Sequence, residues 1–490
     1  MTPTDPSATT PSGADLSEAA FRAAAARAVD IVARYLADPA VWPVLAAGPP
    51  GHLRAALPER APERGEPMEA LLDDFERLIL PHTTHWNHPG FMAYFGITGS
   101  GPGVIAELLI AALNVNAMVW RSGPAQTELE EVTLTWLRRL LGLDDDAWDG
   151  SINDTASIST MHALAAAREA VPGLEARTRG LAGRPEVPRL RVYCSEEAHS
   201  SVDKAAITLG FGLEGVRRIA TDDRLALDPS ALERAIAEDR SAGMLPVAVV
   251  ATVGTTSTTA LDPVSAIADL CAREGIWLHV DAAYGGAAAL LPEMRRVLDG
   301  CERADSIVVN PHKWLFVPID CSVLYTRRPD LLRRAFSLVP AYLETPGTGD
   351  ARNLMDYGLA LGRRFRALKL WFVLRWFGAE GIRERLREHI RLALLLADRI
   401  DEDRLWQRLA PVEFSVVVFR RSSPGLDDAS LDALNAAIIE RVNRSGEVFL
   451  AQTRVRGRLA IRVAIGNLRT TERHVMRAWE LLQEAADGRQ

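Results

Sequence analysis

Lysine is nearly absent from this sequence. Among its 490 residues are 56 lysines and arginines, and only three of these are lysines: Lys204, Lys313 and Lys369. An arginine side chain keeps its charge in a protein, whereas a buried lysine can lose its proton and become a neutral amine. Lys313, which lies inside the apolar run VVNPHKWLFV, is therefore a candidate for a role that arginine cannot fill.

Cysteine is also scarce, and its spacing carries no motif. The four cysteines are scattered and include no CxxC pair, which argues against a disulfide framework and against the common zinc-binding patterns. Since disulfides are rare in reducing compartments, we expect these residues to be reduced core thiols of a cytoplasmic protein. The four residues are Cys194, Cys271, Cys301 and Cys321.

The charge and hydropathy patterns exclude two further classes of protein. No uninterrupted apolar run reaches the ~18 residues of a membrane span, and no basic stripe marks a nucleic-acid surface. A net charge of −8 with 48% hydrophobic residues is typical of a soluble globular chain. Residues 1–14 are polar and lack the apolar run of a secretory signal, so we expect a disordered tail there.

Alternating apolar strands and helices predict an α/β fold with a mainly parallel central sheet. We expect helices at 16–36, 125–142, 229–239, 263–274 and 362–378, and strands at 189–194, 215–220, 246–254, 276–283 and 305–310. A small C-terminal α+β unit is predicted to contain strands at 414–420, 448–452 and 458–465, a helix at 430–442 and a last helix capped near Thr470. The predicted domains are an N-terminal helical segment (15–100), a large domain (101–380) and a small domain (381–490).

Polar side chains follow or end several of the predicted strands. His199, Thr252, Asp281 and Lys313 all stand at such positions, and ligands of parallel α/β sheets bind at the carboxyl ends of the strands. An aldehyde cofactor with a pyridine nitrogen would use two of them: a lysine amine forms a Schiff base, and an aspartate keeps the ring nitrogen protonated. Alternatively, Asp281 is a helix cap or salt-bridge partner, and His199 is structural.

A second pattern indicates an anion site. Thr155, Ala156 and Ser157 immediately precede or begin an alanine-rich helix, where backbone N–H groups and hydroxyls can bind a phosphate. Many helices begin with serine or threonine for capping alone, so this pattern is informative only together with the others.

Four segments in combination resemble a known family. DTASISTMHAL, EEAHSSV, HVDAAYGG and NPHKW together are similar to the group II pyridoxal-phosphate-dependent decarboxylases, and within them to the aromatic L-amino acid decarboxylase family. The resemblance covers about residues 68–380 and continues more loosely beyond. It implies the PLP-dependent transferase-like fold (fold type I), pyridoxal 5′-phosphate (PLP) as cofactor, an amino acid substrate and a homodimer with the active site at its interface.

The resemblance also implies a role for each matching residue. Lys313 would hold the cofactor covalently, Asp281 would pair with the pyridine nitrogen, and His199 and Ala283 would cover the two faces of the ring. The phosphate ligands would be Thr155, Ala156, Ser157 and Asn310. Thr252 would lie near the substrate carboxylate, and His312 would neighbour the Schiff base. Tyr342 would be the lid tyrosine that protonates the substrate carbon.

Retained aromatic residues point to a flat aromatic substrate, with two departures from the family pattern. The substrate-binding residues implied by the resemblance are Trp86, Tyr94, Phe95, Met118 and Gly362, although plain core packing also explains the aromatic ones. Gly96-Ile97 replaces the Pro-Thr of animal relatives, and Asn116 and Met118 stand where apolar and aromatic residues of the neighbouring subunit line the pocket. These departures leave a non-aromatic substrate open, although we identify no basic group for a distal carboxylate.

Other functions can be compared with the leading one. Decarboxylation with oxidative deamination to an aldehyde occurs in relatives that replace the lid tyrosine or the stacking histidine, and both are present here. A non-catalytic scaffold would not need Lys313 or Asp281. We expect no metal site at His82, His85 and His88, which lack acidic or cysteine partners, and no nucleotide site at GSGPG, which lacks the lysine of a phosphate loop.

Overall fold

The computed structural model describes residues 15–46, 48–143, 146–338 and 351–488. No helix within those ranges has the length and hydropathy needed to cross a bilayer. The helices are α1 (Glu18–Ala37), α2 (His52–Ala56), α3 (Met68–Asp74), α4 (Gly101–Leu113), α5 (Pro124–Leu141), α6 (Ala156–Ala170), α7 (Ala176–Arg179), α8 (Ser201–Thr208), α9 (Pro229–Ser241), α10 (Val264–Glu274), α11 (Pro311–Trp314), α12 (Pro329–Phe336), α13 (Arg366–Glu402), α14 (Asp428–Arg444) and α15 (Glu472–Ala486).

Two sheets organise the chain. The strands are β1 (Asp149–Asn153), β2 (Leu190–Ser195), β3 (Val216–Ile219), β4 (Leu245–Thr252), β5 (Trp277–Asp281), β6 (Ser306–Val309), β7 (Ser322–Thr326), β8 (Trp406–Arg408), β9 (Val416–Arg421), β10 (Ala451–Val455) and β11 (Arg458–Ala464). The large sheet has the order β1-β7-β6-β5-β4-β2-β3, and the small sheet has the order β10-β11-β9-β8.

The large sheet confirms the predicted α/β architecture. Strands β3, β2, β4, β5 and β6 are parallel, and β7 runs antiparallel to both of its neighbours. Apart from the edge strand β3, which contains Arg217 and Arg218, the parallel strands are buried and largely apolar, and helices that cover the faces of the sheet join them. The small sheet is entirely antiparallel and packs with α14 and α15.

Several predicted boundaries differ from the structure. The helix predicted at 362–378 begins at Arg366, and the left-handed backbone of Gly378 (φ 63°) separates it from the helix that follows within α13. The strand predicted at 448–452 is wrong at its start, because β10 begins at Ala451. The last helix is capped at Thr471, one residue beyond the predicted position, with His474 completing a capping box. All four cysteines are buried and free, as expected.

Candidate active site

Lys313 lies on the one-turn helix α11, directly after strand β6. Its backbone N–H donates to the carbonyl of Asn310 at 2.9 Å, and its Nζ lies 5.2 Å from the centroid of the Phe95 ring. Burial lowers the pKa of the Lys313 ammonium; the charge of Asp281 opposes this shift, whereas that of Arg462 adds to it. The site therefore favours the neutral, nucleophilic amine.

Asp281 ends the neighbouring strand β5, and sheet register explains why it is close to Lys313. In the parallel pairing, Asp281 lies opposite Val308 of β6, so both chains leave the sheet at the same edge. The Asp281 carboxylate is buried and accepts a hydrogen bond from the Ala283 N–H at 3.1 Å. In the described ranges it has no ion-pair partner within 4 Å, so a buried carboxylate remains available to a cation from outside the chain.

Ala283 connects this aspartate to the predicted phosphate ligands. The carbonyl of Ala283 accepts from the Asn310 N–H at 3.1 Å, and its side chain packs with Ala156 and Val308 in one buried cluster. Ala156 begins α6, and Thr155 is the N-cap residue with no side-chain capping bond. The structure thus brings together residues that the sequence separates by more than 150 positions.

The start of α6 has the donors that a phosphate needs. The first N–H groups of a helix, here those of Ala156 and Ser157, have no partner within the helix. The Asn310 Oδ1 atom is buried, and no described residue bonds to it. Since buried polar atoms normally have partners, this orphan supports a polar ligand at this position.

His199 and Thr252 lie along the same edge of the sheet. His199 stands between β2 and α8, and its Nδ1 accepts from the Ser201 N–H at 3.1 Å, which leaves the proton of the neutral ring on Nε2. Burial lowers the pKa of His199, although Asp281 opposes this shift. Thr252 ends β4 opposite Asp281, and its buried Oγ1 has no partner among the described residues.

His312 precedes the lysine and is also held as a neutral ring. Its Nδ1 accepts from the Cys321 N–H at 2.8 Å. Burial, reinforced by the charge of Lys313, lowers the pKa of His312 to about 3. A neutral imidazole next to Lys313 adds no positive charge to the site.

The predicted aromatic residues divide into two groups. The Phe95 ring stacks on Tyr284 with centroids 3.9 Å apart and is the aromatic side chain nearest to Lys313 in the described contacts. Trp86 and Tyr94 instead stack on each other at 5.8 Å and belong to a cluster that includes Phe91 and Phe449.

Two predicted residues are not brought to Lys313 within this chain, and a third lies outside the described residues. Met118 packs with Val119 and Met355. A Cβ atom added to Gly362 would lie 3.8 Å from the side chain of Asn116. In the ranges described, no hydrogen bond, ion pair or ring contact joins either residue to Lys313. Tyr342 lies at 339–350, outside the described residues.

Arg462 is a site residue that the sequence analysis missed. This arginine of β11 is 4% exposed, and its Cζ lies 4.6 Å from the centroid of the Phe95 ring. It is a basic group beside Lys313, which the sequence analysis did not find. The available signal was the run RLAIRVAI, in which a charge interrupts an apolar strand as Lys313 does in its own run.

One edge of the sheet thus combines the Lys313 amine, the buried Asp281 carboxylate, the start of α6 and buried polar atoms without partners among the described residues. These groups fit a phosphorylated pyridine aldehyde. Comparisons with known proteins agree. Residues 50–422 match the pyridoxal-dependent decarboxylase conserved domain.

Two curated relatives and one solved structure extend the match to nearly the whole chain. The sequence is 38% identical over 478 residues to tryptophan decarboxylase TDC2 of Camptotheca acuminata, covering 96% of this chain and 95% of that protein. It is 37% identical over 468 residues to phenylacetaldehyde synthase of Arabidopsis thaliana, covering 94% of each. The crystal structure of Oryza sativa TDC with PLP and tryptamine superposes with a TM-score of 0.92 at 35% identity, covering 97% of this chain and 99% of that one. The chain therefore belongs to the pyridoxal-dependent decarboxylase family and is a PLP-dependent amino acid decarboxylase.

Proposed function

We propose that this enzyme converts an aromatic L-amino acid to the corresponding amine and carbon dioxide. The observation that carries the proposal is the arrangement of Lys313, Asp281, His199 and Thr252 along the carboxyl edge of one parallel sheet. PLP, when bound, supplies an aldehyde that bonds to amines and a ring that accepts the electron pair released when carbon dioxide leaves.

Each residue of this group has a distinct task in the proposal. Lys313 provides a neutral amine that holds the cofactor and later releases the product. Asp281 provides the buried negative charge that keeps a pyridine nitrogen protonated. His199 and Ala283 would flank the ring, and Thr252 would lie close to the substrate carboxylate.

Phosphate binding is assigned to the start of α6. Thr155, Ala156 and Ser157 would donate from backbone N–H groups and hydroxyls, and Asn310 would contribute its side-chain amide. His312 would shape the site next to Lys313 while remaining neutral. The N–H groups at the start of α6, which have no partner within the helix, support this assignment.

Tyr342 is the proposed proton donor. In the family pattern it delivers a proton to the substrate carbon after carbon dioxide has left, from a lid that excludes water. Retention of this tyrosine and of His199 favours the amine over the aldehyde product.

The aromatic substrate class is supported by two observations. Phe95 places a flat apolar surface beside Lys313, and a tryptophan decarboxylase is among the relatives that match over nearly the full length. Arg462 offers a cation at the same place, which an acidic substrate would require. However, two of its three nitrogens, Nε and Nη1, already donate to backbone carbonyls, so we favour a structural use of that charge.

We further propose that the enzyme is a homodimer whose subunits complete each other's active sites. Helix α1 has 20 residues and buries only Ile31 within its own chain, as expected for a helix that packs on a partner. The exposed large apolar side chains of α1 and α4 are Phe21, Val29, Val32, Ile105, Leu108, Leu109 and Leu113. Met118 and Gly362, which make no described contact with their own Lys313, would then line the partner's pocket.

The remaining assignments concern organisation and location. The proposed units are the helical segment 15–100, the cofactor-binding domain 101–380 and the small domain 381–490, and the two sheets fall within the last two. Four buried, free cysteines support a cytoplasmic location.

A substrate panel tests the proposal directly. Purified enzyme with PLP is given tryptophan, 5-hydroxytryptophan, tyrosine, DOPA, phenylalanine, histidine, glutamate and valine, and amine, aldehyde and hydrogen peroxide are assayed together. We expect amine from at least one aromatic substrate. Amine from glutamate or valine only would refute the aromatic class, and aldehyde with peroxide would refute simple decarboxylation.

Lysine variants identify the residue that does the chemistry. Lys313→Ala should lose turnover and the borohydride-trapped covalent adduct while keeping the far-ultraviolet circular dichroism of the parent. Lys204→Ala is the matched control, because Lys204 is an exposed lysine at the start of α8. Full activity in Lys313→Ala would disprove the assignment.

A further inference from the structure

Arg462 is fixed in place by three backbone carbonyls from two other parts of the chain. Its Nε donates to the carbonyls of Thr256 and Ser257, each at 3.1 Å, and its Nη1 donates to the carbonyl of Tyr94. Its Nη2 is buried without a partner among the described residues. A guanidinium makes these bonds from separate nitrogens of one rigid plane, whereas an ammonium presents all its donors on one atom at the end of a flexible stem.

The Tyr94 carbonyl belongs to a strained turn. Tyr94 has a left-handed backbone (φ 52°), which is unfavourable for a residue with a Cβ. This conformation sends the Tyr94 side chain to Trp86, whereas the next side chain, Phe95, points to Lys313. Strained backbone persists where its surroundings hold it, and the bond from Arg462 is such a restraint.

The Arg462 guanidinium also packs on the ring of Phe95, the residue that follows Tyr94 in the turn. Its Cζ lies 4.6 Å from the centroid of Phe95, within the range of a cation–π contact. The same ring stacks on Tyr284, which in turn stacks on Trp314 at 4.8 Å and 8°. Trp314 follows Lys313 in sequence, so the stack that begins at Arg462 ends beside the lysine.

We propose that Arg462 is a positioning residue of the active site, which holds the Tyr94–Phe95 turn so that the Phe95 ring lies against Lys313. The inference rests on the proposed function, because the amine of Lys313 is what the ring covers. Electrostatics supports it: burial and the positive charge of Arg462 both lower the pKa of Lys313, against the opposing charge of Asp281. Among the other titratable neighbours, the pKa values of His199 and His312 are lowered, and burial raises the pKa of Tyr284.

Two substitutions separate the geometry from the charge. Arg462→Gln removes both the fork and the charge, whereas Arg462→Lys keeps the charge and loses the fork. We expect kcat to fall at least about tenfold in both, since a misplacement of about 1 Å can cost 100-fold, with KM changed by less than about threefold. Arg458→Gln, on the same strand β11, is the matched control and should keep the parental kcat.

A second measurement does not depend on turnover. Cofactor-free protein is labelled with acetic anhydride over a pH series, and the three lysine peptides are quantified by mass spectrometry, with exposed Lys204 as the internal reference. The limiting labelling rate of Lys313 at high pH should rise in both Arg462 variants and in Phe95→Leu, because the covering ring has moved or gone. The midpoint pH should rise in all three variants, because Lys313 is less buried, and it should rise most in Arg462→Gln, which alone also loses the charge.

The outcomes are distinguishable from those of the proposed function. If the parent enzyme forms no amine, the proposed function fails, and the labelling rates still decide the role of Arg462. Unchanged Lys313 labelling in both Arg462 variants would overturn the inference. An increase in KM alone would also overturn it, since Arg462 would then bind substrate.

A double-mutant cycle guards against general damage to the fold. If Arg462 acts through Phe95, Arg462→Lys and Phe95→Leu should be non-additive, so the double variant should lose no more kcat than the worse single variant. If the kcat loss of the double variant equals the product of the two single losses, the inference is overturned. It is also overturned if Arg462→Lys loses kcat only to the extent that its unfolding temperature is lowered.

Discussion

Acidification should destabilise this protein because of its buried histidines. Burial lowers the pKa of His88, His279 and His389 to about 4, and that of His162 and His312 to about 3. Their ordinary pKa in the unfolded chain is about 6.5. A lowered folded-state pKa contributes stability that is present above the unfolded value and is lost as the pH falls toward the folded value.

The size of this effect follows from the linkage between proton binding and folding. Between pH 6.5 and 5.0 each of the five histidines costs between about 1 and 2 kcal/mol of unfolding free energy, or about 8 kcal/mol together. Asp262 opposes them, because burial raises its pKa to about 7 and its proton uptake in the folded state returns about 2 kcal/mol over the same interval. The net loss of about 6 kcal/mol is comparable with the whole stability of a typical domain.

Urea unfolding of the cofactor-free protein, followed by tryptophan fluorescence, measures this loss. The midpoint should fall steeply between pH 6.5 and 5.0 at constant ionic strength. His389→Gln should remove between about 1 and 2 kcal/mol of the pH dependence, because residue 389 then binds no proton in the unfolded chain. His52→Gln, at an exposed site, is the control and should leave the pH dependence unchanged. A loss below about 2 kcal/mol in the parent protein would refute the reasoning.

Three other substitutions have expected outcomes. Trp314→Phe removes the donor to His389 Nδ1 (3.0 Å) and shrinks a fully buried ring, so it should cost about 2–4 kcal/mol in urea unfolding; a cost below about 1 kcal/mol would contradict this. Lys369→Met removes the partner 2.5 Å from Glu107 and should cost about 1–3 kcal/mol by the same method, because Glu107 is partly exposed; a gain in stability would contradict it. Tyr342→Phe should lower amine formation about 100-fold and raise the aldehyde fraction; an unchanged rate and product would remove the proton-donor assignment.

The large sheet could be predicted because its signals are local. Strands β2, β4, β5 and β6 are apolar runs bounded by polar or small residues, and the residues that end them are the chemically useful ones. Because parallel strands share a carboxyl edge, the order of the sequence was enough to bring Asp281 and Thr252 together. The resemblance to a family then supplied the roles, which composition and periodicity could not.

The parts that could not be predicted depend on contacts distant in sequence. Strand β1 pairs with β7 across about 170 residues, and neither has a strong apolar run of its own. Arg462 is one basic residue in an arginine-rich chain, and only the packing of the small sheet against the turn at Tyr94 makes it part of the site. Arg462 places a charge inside an apolar strand, as Lys313 does inside its own apolar run. Because burying a charge is costly, this feature alone marks Arg462 as a candidate site residue.

Lys369, which is fully buried, and Lys313, which is partly exposed, show that the neighbours, rather than burial alone, determine which amine is reactive. Lys369 is fully buried, but Glu107 lies 2.5 Å from its Nζ and Asp320 lies 4.0 Å away. Two carboxylates therefore balance the positive charge of its ammonium. In the described part of the chain Lys313 has no such ion pair, and its neighbours include a second cation, Arg462, on the same aromatic ring. Arginine suits that second position because it stays protonated even where burial lowers its pKa to about 10. The scarcity of lysine therefore leaves one amine at this site free to react.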